Sequence, residues 1–164
     1  MKSKNIFLNE KKTGIKGLLG SVLFVVLAII LFQGFSTQSA SAEETITVYK
    51  SPTCGCCTKW ISHLEENGFK VKAINTNDVI KLKKEAGLKP QLASCHTAFV
   101  EGYAIEGHVP ASDIKRLLAE RPAVKGLTVP GMPMGSPGME GPRKDRYSVL
   151  TFDDSGKTTV FSTH

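Results

Sequence analysis

Three cysteines within four residues, Cys54-Gly55-Cys56-Cys57, constrain this chain more than any other stretch. Ahead of them, Thr45-Ile46-Thr47-Val48-Tyr49 alternates with period two and is rich in β-branched residues, which predicts a strand. Ser51-Pro52-Thr53 breaks that strand. From Thr58 to Asn67 an apolar stripe of Trp60, Ile61 and Leu64 runs up to Gly68, which predicts a helix. The cysteines therefore follow a strand and open a helix. Free backbone N–H groups and the positive end of a helix dipole favour a thiolate at such a place. A thiolate is both a redox nucleophile and a metal ligand, so position alone leaves both chemistries open.

Charge placement narrows the setting. The formal net charge of +6 would suit a nucleic-acid partner, but Lys2, Lys4, Lys11, Lys12 and Lys16 stand in residues 1–42 against Glu10 alone. The remainder carries only +2, which removes the main support for binding a phosphate backbone. Those lysines precede an apolar run, Leu18 to Phe32, and then Ala40-Ser41-Ala42, the layout of an export signal. We expect residues 1–42 to be a signal peptide cleaved after Ala42 and residues 43–164 to be exported, in a periplasm. An uncleaved signal would instead anchor the chain in the membrane. With 41% hydrophobic and 22% charged residues, the chain is neither disordered nor a polytopic membrane protein.

All four cysteines, Cys54, Cys56, Cys57 and Cys95, fall in the exported part. They are too few to staple a chain of this length, and bridging the vicinal Cys56-Cys57 pair would demand strained geometry. In an oxidising compartment, clustered thiols persist only when a redox partner or a metal protects them.

Further along, Phe69, Val71 and Ala73 alternate with Lys70 and Lys72 as a second strand. Asn77 or Asp78 can cap a second helix carrying Val79, Leu82 and Ala86, with Lys81, Lys83 and Lys84 as its solvated face. Thr97–Glu101, Gly102 and Tyr103–Glu106 predict a hairpin, and Ile114, Leu117 and Leu118 a third helix ending before Pro122. The order β-α-β-α-β-β-α is that of a thioredoxin-like α/β sandwich. Tyr147–Phe152 and Lys157–Phe161, around Asp153-Asp154-Ser155-Gly156, predict an appended C-terminal β-hairpin in residues 143–164. Residues 43–142 then form the main domain.

Val129–Pro142 stands apart, with Gly131, Gly135, Gly138 and Gly141, half of the prolines, and Met132, Met134 and Met139, the only methionines besides Met1. A flexible linker is the plain reading, but linkers seldom concentrate methionine. If extended, the segment projects Met132 and Met134 to one side, as soft ligands would be.

Cys56 weighs against simple dithiol exchange, which needs two sulfurs and is confused by a third, whereas a soft-metal site gains from each one. In a thioredoxin-like order the residues entering the third strand lie beside the C-x-x-C. Here they are Ser94-Cys95-His96-Thr97, a fourth sulfur and an imidazole. His108, at the end of the hairpin, and His63, six residues beyond Cys57, are weaker candidates; His164 is a tail residue and Trp60 a core residue beside the site. The expected metal ligands are Cys54, Cys56, Cys57, Cys95, His96, Met132, Met134 and Met139. Thiolate with thioether favours Cu(I), while zinc would take thiolate and imidazole but has little use for methionine. Carboxylate clusters for calcium or magnesium, a phosphate loop and G-x-S-x-G are absent from the sequence.

Cys54-Gly55-Cys56-Cys57 with Trp60, Ser94-Cys95-His96-Thr97, Gly102–Pro110 and Gly131–Glu140 together resemble the CopG-type proteins, exported bacterial metal-binding proteins linked to copper resistance. The resemblance covers about residues 45–140. It implies a thioredoxin-like fold holding copper, including in a multinuclear cluster, through its cysteines with methionine or histidine. The expectation is an exported copper-binding protein that sequesters or relays Cu(I), with cycling to Cu(II), exchanging copper ions with other exported copper-handling proteins. Binding is expected over catalysis. The rivals are a thiol–disulfide oxidoreductase using Cys54 and Cys57 and a structural zinc-binding interaction module, and neither explains the methionines.

Overall fold

The computed structural model describes residues 45–164; the expected signal peptide lies outside them. Strand β1 (Thr45–Lys50) leads into helix α1 (Gly55–Glu66), which begins one turn earlier than the apolar stripe alone implies. Strand β2 (Lys70–Asn75) and helix α2 (Val79–Glu85) follow, then a short 3-10 turn, Pro90–Leu92. Strands β3 (Thr97–Val100) and β4 (Tyr103–Glu106) form the expected hairpin, and helix α3 (Ala111–Glu120) comes next. The chain closes with β5 (Gly126–Thr128), β6 (Ser148–Phe152) and β7 (Thr158–Thr163).

All seven strands join one mixed sheet in the order β2-β1-β3-β4-β5-β6-β7. Strands β1 and β2 run parallel, while β3 is antiparallel to both β1 and β4. Strand β5 was not expected. It is three residues long, too short for its alternation to be read, yet it runs parallel to β4 and antiparallel to β6. The C-terminal hairpin is thus continuous with the central sheet through β5.

Alternation on the strands sorts side chains onto two faces. On one, Ile46, Val48, Ile105, Leu127 and Val149 pack with Trp60, Ile61 and Leu64 of α1 and Ile114, Leu117 and Leu118 of α3. On the other, Ala104 and Phe152 meet Ala86, Leu88 and Leu92. At about 25 cal/mol per Å² of apolar surface removed from water, the larger cluster is the main anchor of α1, whose first turn carries the cysteines.

Candidate metal centre

The Ser51-Pro52-Thr53 break turns the chain at the end of β1, and the Ser51 carbonyl accepts the Cys54 N–H at 3.1 Å. Cys54 takes an extended conformation as the N-cap, so Cys56 and Cys57 occupy the first turn of α1. Cys54 and Cys57 are joined as a disulfide across a Cα–Cα distance of 5.4 Å, and Cys56 and Cys95 are free thiols. Cys56 Sγ lies 3.5 Å from Cys54 Sγ, and Cys95 Sγ lies 3.5 Å from Cys57 Sγ. All four sulfurs fall within 4.8 Å of one another. The segment entering β3 therefore does return Cys95 to the cysteine run.

Cys95 also sits between two imidazoles. Its sulfur is 3.2 Å from His96 Nδ1 and 3.0 Å from His108 Nε2, and these three residues form a second potential ligand group. His108 was the weaker candidate from sequence, because its place depends on the hairpin folding back over thirteen residues. Its Nδ1 lies 2.7 Å from the Pro137 carbonyl, which can only accept, so Nδ1 carries the proton and the Nε2 lone pair faces Cys95. Metal-binding histidines are commonly oriented in this way. His96 is fully buried against Trp60, with ring centroids 4.3 Å apart, and its Nε2 has no hydrogen-bond partner among the described residues. A buried imidazole nitrogen left without a partner is uncommon in a finished core.

Burial dominates the electrostatics. It lowers the pKa of His108, and it lowers that of His96 well below the ordinary range, with the neighbouring His108 and Lys83 charges adding to the shift. Both rings are thus held neutral, the form that ligates. Burial, followed by the charge of nearby Cys56, pushes the Cys95 thiol up to about 12. Cys95 consequently keeps its proton until something replaces it, and a metal ion does so.

The Gly/Pro/Met segment is a built wall of this site. At one end the Gly131 N–H donates to the Ala93 carbonyl at 3.2 Å, and the Ser94 hydroxyl donates to the Gly131 carbonyl. At the other, Pro137 holds His108, and Gly138 lies so close to α1 that a Cβ there would meet Cys56 O at 2.7 Å and Trp60 N at 2.8 Å. Gly138 also has φ +84°, so a side chain is disfavoured twice over. Gly107 (φ +72°) has a similar role, its missing Cβ leaving room for Ser94 and the Val129 carbonyl. Met132 is 52% exposed, the thioether end of Met134 packs beside Gly141, and Met139 closes a turn by donating its N–H to Ser136 O.

The remaining histidines lie elsewhere. His63 Nε2 accepts the Ala111 N–H at 3.1 Å and so caps α3. His164 pairs with Asp113 and stacks on Tyr147. Lys83 corrects an expectation. Its Nζ reaches Thr97 Oγ1 at 3.1 Å and buried Glu106 Oε1 at 2.5 Å, and its side chain is only 13% exposed, because α2 lies against β3 rather than facing solvent along its whole lysine edge. Glu106 also accepts the Ser94 N–H at 2.6 Å and the Thr97 hydroxyl at 2.7 Å, which fixes the turn carrying Cys95.

A mixed α/β frame thus brings four sulfurs, two of them joined as a disulfide, and two neutral imidazoles together, and with that bond reduced they make a donor set suited to a soft metal. Residues 92–139 match the family described as "Protein of unknown function, DUF411". The chain is similar to two solved structures, "Copper resistance protein copG- Form 2" and "Copper resistance protein copG- Form 1", at 45% identity to each. The first match covers 74% of this chain and 98% of that one with a TM-score of 0.70; the second covers 73% and 96% with a TM-score of 0.69. No curated protein matches the chain. This chain belongs to the CopG copper-resistance family.

Proposed function

We propose that this protein binds copper as an exported protein and sequesters or relays Cu(I), with cycling between Cu(I) and Cu(II) at the same site. The observation that carries the reading is the convergence on Cys95: four sulfurs within 4.8 Å, and two imidazole nitrogens 3.0 and 3.2 Å from the Cys95 sulfur. Sulfur-rich sites with neutral imidazole suit Cu(I), and two donor sets sharing one cysteine suit more than one copper ion. The resident ligands in this reading are Cys54, Cys56, Cys57, Cys95, His96 and His108, with at least one of Met132, Met134 and Met139 as a ligand or lid. The parallel β1-α1-β2 unit and antiparallel β3-β4-α3 unit support a thioredoxin-like frame. The signal-like residues 1–42 support export to a periplasm, where copper would pass to and from other copper-handling proteins.

Each thiol gives up its proton on binding, so copper uptake by the reduced protein releases protons. Thioether sulfur needs no deprotonation and stays available at acidic pH. Metal content of protein isolated from the exported fraction of copper-fed cells tests the reading directly; copper is expected, and zinc alone would overturn it. Replacing Met132, Met134 and Met139 with leucine should preserve folding and zinc uptake. It should weaken Cu(I) binding several-fold at pH 5 and less at pH 7, read by Cu(I) competition titration. Identical affinities at both pH values would remove the methionines from the site.

A further inference from the structure

Lys50 is a charged residue in a core position. Strand β1 turns Ile46 and Val48 into the main core, and the same period places Lys50 inward at the end of the strand, where it is only 7% exposed. Its ammonium donates to the Ser51 carbonyl at 3.2 Å. That oxygen is the one that accepts the Cys54 N–H, so a single carbonyl links the Lys50 charge to the first residue of the cysteine run. No carboxylate of the described residues pairs with Lys50. The contrast with Lys83 is direct, because Glu106 already balances that charge.

A buried ammonium without a counter-charge is unfavourable unless something anionic arrives beside it. Metal binding supplies it. Thiols that become thiolates bring negative charge to the cysteine run, whose first residue donates its N–H to the carbonyl that Lys50 also holds. Both the Lys83 and Lys50 charges also reach His96, since each contributes to lowering its pKa.

We propose that Lys50 is the charge partner of the metal centre and biases it towards its lower-charged Cu(I) state, a role that rests on the copper reading above. The sign is independent of how many copper ions bind. Taking one electron into each Cu(II) lowers the positive charge of the centre by one, and a fixed cation nearby favours that change.

The test compares copper-loaded wild type, Lys50→Met, Lys50→Gln and Lys50→Arg. A mediated titration with a chemical reductant, which supplies one electron per Cu(II), gives the midpoint potential of each. Thermal unfolding of the metal-free chains is measured alongside. Lys50→Met and Lys50→Gln should reduce the preference for Cu(I) over Cu(II) by about tenfold, which is about 59 mV for a one-electron couple. Lys50→Arg should stay within about twofold of wild type, because it keeps the charge. Metal-free Lys50→Met should unfold at or above the wild-type temperature, since an unpaired buried cation has gone. A wild-type potential in both neutral variants would overturn the proposal and leave the copper reading standing. If either neutral variant fails to fold, the other carries the test, and loss of folding in both marks Lys50 as structural and also overturns it. A wild-type protein that takes up no copper would instead overturn the copper reading and this role with it.

Discussion

Two buried polar clusters flank the turn Ser94-Cys95-His96, and they differ in one respect. Around Glu106, the lysine, hydroxyl and amide donors all point at one carboxylate, at distances between 2.5 and 2.7 Å. Around Cys95, two free thiols and two neutral rings face one another, and His96 Nε2 has no partner among the described residues. The first cluster is complete without any addition and serves the fold. The second gathers sulfur and neutral imidazole donors with soft lone pairs around Cys95, the kind of set that suits a soft metal ion. Satisfied polar groups rigidify a core, and unsatisfied ones mark a place where chemistry is done.

The sharpest way to break this comparison is Glu106→Ala. It leaves the Lys83 ammonium buried without its carboxylate and removes the acceptor of the Ser94 N–H. Denaturant unfolding of the metal-free protein should show a loss of about 3 kcal/mol or more. Much of that should return in a Glu106→Ala, Lys83→Met double variant. A loss under about 1 kcal/mol would place the Glu106 cluster outside the folding core.

Cys95→Ser sharpens the other side. Serine keeps the shape but offers a hard oxygen, so the folded state should change by about 1 kcal/mol or less while Cu(I) affinity falls at least tenfold. Competition titration and denaturation on the same sample separate the two. A large stability loss with unchanged copper binding would make Cys95 a core residue.

The smallest expected effect is in pH. His96 and His108 are held neutral, with folded-state pKa values below the ordinary value. The unfolded chain therefore takes up protons first as the pH falls through about 6.5, and stability drops from there down to the folded-state values. Metal-free protein should lose about 1 kcal/mol between pH 7 and 5.5. A His96→Phe, His108→Phe variant should flatten that slope, and an unchanged slope would assign it to other groups.

Much of the site was legible in the chain. Cys54, Cys56 and Cys57 follow from strand, break and apolar stripe. Cys95 and His96 follow from where the third strand must enter. The approach of His108 to Cys95 is hard to see in sequence, because its ring is oriented by a carbonyl at Pro137, twenty-nine residues on and in no regular element. A lysine-rich helix edge reads as solvated, yet one of the three lysines of α2, Lys83, turns under to meet Glu106. Strand β5 escaped because three residues carry no detectable period, and with it went the continuity between the main sheet and the C-terminal hairpin. The Met-bearing loop showed its composition but not its two anchor points, Gly131 and Pro137, which are backbone contacts that any residue type could make.

The Cys54–Cys57 bond has a practical meaning for anyone who handles this molecule. While it stands, two of the four sulfurs are spent on each other, and only Cys56 and Cys95 remain as thiols. Opening it takes two electrons and two protons, and the capacity of the centre changes in that one step. A sample kept in air and a sample kept under reductant are therefore two different receptors sharing one sequence. In the copper-binding reading, the state of this one bond sets how many of the four sulfurs are free to take metal.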